Sequence, residues 1–216
     1  MELIKSIILK SKEKIELFKI KSKKSESKNV LITGVFHGEE PQGYYAIKNF
    51  FDSRNFENVK NNLYIIPCLN PDGMKKNKRQ NANGIDLNRN FPSQNWEKTD
   101  KNSEYYGGDA PSSEEETKFI VEIIENIKPD FILTLHSPYA VVNFDGPAKN
   151  EAKKISDIMK YPVQKDIGYP TPGSFGTYCG IERNIPTVTL ELDENEKQEI
   201  INKKLSIVFE FLLEEY

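Results

Sequence analysis

Apolar residues are spaced in two alternating rhythms along this chain. Short runs rich in β-branched and aromatic residues, bounded by polar residues or by Pro and Gly, predict strands over residues 15–20, 30–36, 63–69, 131–135 and 187–192. Between them, apolar positions recur at helical spacing: Tyr44, Ile47 and Phe51, then Ile120, Ile123, Ile124 and Ile127, then Ile201, Leu205, Val208 and Leu212. Pro111-Ser112-Ser113 followed by Glu114, Glu115 and Glu116 predicts a capping box that opens the middle helix, with acidic residues where the helix dipole favours them. Strands alternating with helices imply an α/β fold, a largely parallel or mixed central sheet flanked by helices. The Lys/Ser-rich residues 21–28 read as a solvated turn between two strands, so residues 1–216 are expected to form a single domain.

Composition narrows the function classes. Of 216 residues, 37% are hydrophobic and 29% charged, with a formal net charge of −3, which fits neither a disordered chain nor a membrane protein and gives nucleic acid no basic surplus to bind. No apolar run approaches the roughly 18 residues that a membrane span needs. The N-terminal apolar stretch is short and lacks a small-residue cleavage site, so export is not expected. Cys68 and Cys179 stand far apart in apolar surroundings and read as reduced core residues of a cytoplasmic protein.

One stretch departs from the alternation. Residues 70–111 are dominated by Asn, Gly, Lys, Asp and Ser, and so long a connection inside a compact domain is usually functional. The chain has only two histidines, His37 and His136, and each follows a predicted strand directly. Ligands of open α/β sheets bind beyond the carboxyl ends of the strands, where the two could converge. Glu40 lies three residues after His37, a spacing that lets both side chains reach one ion. Two imidazoles and a carboxylate are a three-ligand set of the kind that leaves a fourth zinc position open for catalysis. His-x-x-Glu alone is a short pattern that chance often produces.

The next segments add specificity. Asn70-Pro71-Asp72-Gly73 follows a strand, then come Arg79 and the run Asp86-Leu87-Asn88-Arg89-Asn90, then the strand-end His136, and finally Glu191 in the last strand. In this order the elements resemble the zinc carboxypeptidase family, over roughly residues 29–192. The stretch Tyr169-Pro170-Thr171-Pro172-Gly173-Ser174-Phe175-Gly176 and His136-Ser137-Pro138 are most similar to its murein peptide amidase branch.

The resemblance implies one zinc ion held by His37, Glu40 and His136, with Glu191 as general base and Arg79 stabilising the oxyanion. Asp86 would orient the first ligand histidine, Asn88 and Arg89 would clamp a substrate carboxylate, and Tyr169 would close over the substrate, with Tyr178 as a second candidate for that role. Asp72 and Gly73 are read as a simple turn. The expected partner is a small peptide with a free carboxylate, a murein tripeptide cut at its γ-D-glutamyl-meso-diaminopimelate bond, with no nucleic acid and no membrane. Asp145, Asp166, Glu182 and Arg183 are polar residues expected near the rim. An N-acyl amino acid deacylase, a general metallocarboxypeptidase or a silent peptide-binding member would use the same scaffold, and the oligomeric state stays open.

Overall fold

The computed structural model describes residues 1–52, 54, 56–57, 59–165 and 171–216. In chain order the elements are β1 (Glu2–Ile8), β2 (Lys14–Ile20), β3 (Asn29–Gly34), α1 (Gln42–Asp52), β4 (Asn62–Ile66), α2 (Pro71–Lys76) and a 3₁₀ turn (Leu87–Arg89). There follow α3 (Glu115–Ile127), β5 (Phe131–His136), β6 (Tyr139–Asp145), α4 (Lys149–Met159), β7 (Val163–Gln164), a π turn (Thr177–Ile181), β8 (Thr187–Asp193) and α5 (Gln198–Glu214). All strands join one mixed sheet in the order β1-β2-β4-β3-β5-β8-β6-β7.

The centre of the sheet is parallel, β4 with β3, β3 with β5 and β5 with β8, while β1 and β2 run antiparallel to their neighbours and β6 runs antiparallel to β8 and parallel to β7. Central parallel strands are covered on both faces, so β3 and β5 read as nearly unbroken apolar runs. On one face Val30, Ile32, Phe131, Leu133, Val188 and Leu190 pack with apolar residues of α1, α4 and α5. On the other, Leu31, Ile66 and Ile132 pack under Phe119, Ile120 and Ile123 of α3 and under the loop aromatics Phe36, Phe91 and Phe175.

All five predicted strands and all three predicted helices are present, with ends shifted by a few residues. The turn over residues 21–28 joins β2 to β3, which are not neighbours, because β4 lies between them. The capping box does not form. Glu114 takes the N-cap position without a side-chain cap, because the Ser113 hydroxyl is drawn away to Glu114 Oε1 at 2.7 Å and to Asn90 Nδ2 at 2.9 Å. Both cysteines are free, Cys179 buried and Cys68 half-buried. Among the described residues no helix is long and apolar enough to cross a membrane.

Candidate active site

Because β3, β5 and β8 are adjacent and parallel, their carboxyl ends open on one edge of the sheet. His136 ends β5 and stands opposite Glu191 of β8. His37 and Glu40 come from the loop after β3, which leaves the strand through Val35 at φ 55°, a left-handed conformation costly for a β-branched residue. Asn70 holds that loop in place. Its backbone N–H donates to the Val35 carbonyl at 2.9 Å, its Nδ2 donates to the carbonyls of Phe36 and Arg79 at 3.1 Å each, and its Oδ1 accepts from Gly73 N–H at 2.9 Å. The backbones of Gly38 and Gly73 touch: a Cβ on Gly38 would stand 1.9 Å from the Gly73 carbonyl carbon.

His37, Glu40 and His136 are buried and converge, with one potential ligand atom from each lying within 4.8 Å of the others. Glu40 faces both imidazoles, Oε1 at 2.8 Å from His37 Nδ1 and Oε2 at 3.0 Å from His136 Nδ1. His37 presents its other nitrogen, Nε2, to Asp86 Oδ1 at 3.2 Å, a contact of the kind by which a carboxylate can fix an imidazole's orientation and tautomer. Burial on its own would lower the pKa of His37, yet the charges and hydrogen bonds of Glu40 and Asp86 outweigh it and raise the value to about 9. Glu40 is lowered to about 2 against its own burial, chiefly by the charge of His37. Buried carboxylates that pull a proton onto an imidazole mark a site short of positive charge. A divalent cation would supply it, and a donor set of two nitrogens and an oxygen fits zinc.

Asp86 is fully buried and saturated: it accepts from Asn88 N–H at 2.8 Å and from Arg79 Nε and Nη2, each at 2.9 Å. Arg79 Nη1 remains outside that pairing, 4.0 Å from Glu40 Oε1. Asn88 Oδ1 accepts from Phe175 N–H at 2.9 Å, which leaves its amide nitrogen as a donor. Arg89 is anchored by Nη1 donating to the Asn88 carbonyl at 2.8 Å. The guanidinium groups of Arg79 and Arg89 lie 5.0 and 5.5 Å from the ring of Tyr105, close enough for cation–π attraction. Glu191 is 8% exposed, its Oε2 has no hydrogen-bond partner among the described residues, and burial is the largest influence raising its pKa.

His37, Glu40, Arg79, Asn88, Arg89, His136 and Glu191 all line one cavity of about 220 Å³, with Asp86 directly behind it. Tyr105 and Tyr139 line it too and were not foreseen; the one available signal was an aromatic residue inside the polar stretch 70–111. Tyr178 does not belong to the cavity. It is 1% exposed, packed on Phe91 and beneath the Arg183 guanidinium, so it is a core residue and not a lid. Tyr169 and Asp166 lie outside the described residues. Glu182 and Arg183 are occupied elsewhere, by Gln94 N–H and by the Tyr178 carbonyl. Gly73, read from the sequence as a plain turn residue, sits within α2 and carries the contact to Gly38.

The description of zinc carboxypeptidases matches residues 5–168 of this chain. Murein peptide amidase A of Escherichia coli strain K12 is 32% identical over 154 residues, which cover 66% of this chain and 62% of that protein, less than two thirds of its length. Murein peptide amidase A of Vibrio campbellii is 33% identical over 195 residues, 84% of this chain and 75% of the relative. Among solved structures, murein-tripeptide amidase from Escherichia coli O157 superposes with a TM-score of 0.83 at 25% identity, covering 96% of this chain and 89% of that one. Carboxypeptidase A from Helicoverpa armigera shares the fold, with a TM-score of 0.76 at 17% identity over 97% of this chain and 66% of that one. Together with the donor set at the sheet edge, these likenesses show that the chain belongs to the zinc carboxypeptidase family.

Proposed function

We propose that this protein hydrolyses the amide that joins a γ-D-glutamyl residue to meso-diaminopimelate in murein peptides, a peptidoglycan-recycling step in the cytoplasm. The observation that carries the hydrolytic reading is the buried Glu191 carboxylate, unpartnered at Oε2 and lining the same cavity as His37, Glu40 and His136. The likeness to the murein peptide amidases supports the choice of bond.

His37, Glu40 and His136 would hold the zinc ion, which when bound polarises a carbonyl and makes water more acidic. Glu191 receives the proton of the attacking water and delivers it to the leaving amine, work suited to a carboxylate whose pKa is raised by burial. Arg79, held by Asp86 through Nε and Nη2, turns its remaining edge to the developing oxyanion. Arg89 and the free amide of Asn88 grip the substrate carboxylate with planar donors.

The test is incubation of the purified protein with zinc and L-Ala-γ-D-Glu-meso-diaminopimelate, beside a panel of C-terminal peptides and N-acyl amino acids. Release of diaminopimelate is the expected result. Cleavage of acyl amino acids alone would assign a deacylase, of ordinary peptides alone a general carboxypeptidase, and binding without products a silent member.

A further inference from the structure

Tyr105 places one ring over both arginines of the cavity, its centre 5.0 Å from the Arg79 guanidinium carbon and 5.5 Å from that of Arg89. The residue lines the cavity and is 39% exposed. A ring left so open in a charged cavity buries little apolar area, so core packing does not account for it.

The loop that carries the ring is stitched to both arginine-bearing segments. Gln80, next to Arg79, donates through Nε2 to the carbonyls of Ser103 and Glu104 at 3.1 and 3.3 Å. Asp86 N–H donates to the Tyr106 carbonyl at 2.8 Å. On the other side, a Cβ on Gly107 would stand 2.3 Å from the Arg89 carbonyl oxygen, so a residue without a side chain lets the two backbones close up. Within the loop, Tyr105 N–H donates to Ser103 Oγ and the Tyr105 carbonyl accepts from Thr99 Oγ1, each at 3.1 Å. The backbone therefore fixes where the ring stands relative to the two guanidinium groups.

The two arginines are not held equally. Arg79 is oriented without the ring, because its Nε and Nη2 donate to Asp86 at 2.9 Å each. Arg89 is buried, yet among the described residues its side chain makes a single hydrogen bond, from Nη1 to the Asn88 carbonyl at 2.8 Å. A guanidinium fixed through one donor can still turn about that bond, and paired recognition of a carboxylate depends on the plane of the group. The electron-rich face of Tyr105 supplies a second constraint, since it attracts the cation and limits its rotation. The Tyr105 hydroxyl is engaged by the Glu104 carboxylate, so what the residue offers the arginines is its ring.

We infer that Tyr105 is a positioning residue, its ring holding the Arg89 guanidinium in the orientation that receives the substrate's terminal carboxylate. The inference rests on the reading of Arg89 as the carboxylate clamp, and it deepens that reading by assigning the ring to substrate binding and not to the chemical step. Loss of the ring should then act on KM and spare kcat, because Arg79 keeps its own anchor on Asp86.

The test compares Tyr105→Phe, Tyr105→Leu and a trifluorinated phenylalanine installed at position 105, which keeps the shape of the ring but withdraws electron density from its face. The zinc-loaded proteins are assayed on L-Ala-γ-D-Glu-meso-diaminopimelate and on an acyl-L-Ala-L-Lys peptide. Calorimetric binding of both peptides in the Glu191→Gln background gives the affinity without turnover. Tyr105→Leu should raise KM and the dissociation constant about tenfold, as for the loss of a partly desolvated cation–π contact, with kcat within about threefold of wild type. Tyr105→Phe should retain wild-type affinity, and the trifluorinated ring should bind as weakly as Tyr105→Leu. Arg89→Gln should itself bind weakly, and adding Tyr105→Leu to it should cost less than about twofold more. Wild-type affinity in Arg89→Gln would remove the clamp reading, and the inference with it. With Arg89→Gln weak, the inference alone is overturned by wild-type affinity in Tyr105→Leu or in the trifluorinated protein, or by Tyr105→Phe binding as weakly as Tyr105→Leu. An effect that falls on kcat, or that persists in full without Arg89, overturns it as well.

Discussion

Replacing Glu191 by Gln removes a proton acceptor and almost nothing else. Glu191 Oε2 has no hydrogen-bond partner among the described residues, so no structural contact is lost there, and its pKa is raised because burial penalises the charged form. The neutral amide escapes that penalty, and the variant should unfold at the same temperature as wild type or higher. Glu191 is not one of the three converging donors, so zinc should remain at one per chain. Loss of a general base typically slows turnover by about 10²–10⁴, or about 3–5 kcal/mol in the barrier, with substrate binding retained. Glu40→Gln is the matched control. It withdraws the carboxylate that faces both histidines at 2.8 and 3.0 Å, so zinc should be lost together with activity. Metal analysis, calorimetric substrate binding and single-turnover rates on both variants at one pH separate the two jobs. Zinc loss in Glu191→Gln, or turnover within about tenfold of wild type, would show that Glu191 is not the base.

Three further outcomes follow from contacts in and around the site. Arg79→Ala should keep zinc yet lose about 10²–10³ in kcat, and because it leaves the buried Asp86 without its double donor it should also lower the melting temperature; unchanged turnover would exclude Arg79 from the reaction. Glu116 is raised to about 7, mainly by burial, so the folded state binds its proton more tightly than the unfolded chain, and stability should fall as pH rises from about 4.5 to about 7. Glu116→Gln should flatten that decline and add up to about 3 kcal/mol at pH 8, read from urea unfolding at pH 5 and 8; identical slopes in both proteins would refute it. Gly38→Ala would drive a methyl group into the Gly73 backbone, and zinc titration should show affinity weakened by at least about tenfold, whereas wild-type affinity would mean that the two backbones can part without cost.

The parts of the fold that could be read in the sequence are those whose periodicity is strong. β3 and β5 are buried on both faces and so are uniformly apolar, and α5 repeats its apolar positions over several turns. β1 was missed because it is an edge strand whose side chains are largely exposed, which leaves no alternation to detect. α4 was missed because only Ala152, Ile155 and Met159 are buried in a helix otherwise largely polar. β6 follows β5 so closely that its Val and Phe residues lack a bounding signal of their own. At the site, ligand-type residues at strand ends stand out because few residue types can bind a metal. Tyr105 did not stand out, since its contacts to Arg79 and Arg89 exist only once the long loop is folded. Asp86 could be assigned only through family resemblance; that its carboxylate bridges His37 and Arg79 is a property of three dimensions.

The strand order also governs when this site can exist during folding. Glu40 and His136 meet although they stand 96 positions apart in sequence, and His136 finds Glu191 only when β8 has docked on β5. A chain still lacking β5 therefore offers a metal one histidine and one glutamate, a weak and open pair. Full coordination has to wait for the most non-local pairings in the sheet, which are the slow ones. Zinc held by His37, Glu40 and His136 would be captured only after β5 has paired with β3, so the moment of metal uptake would serve as a clock for closure of the central sheet.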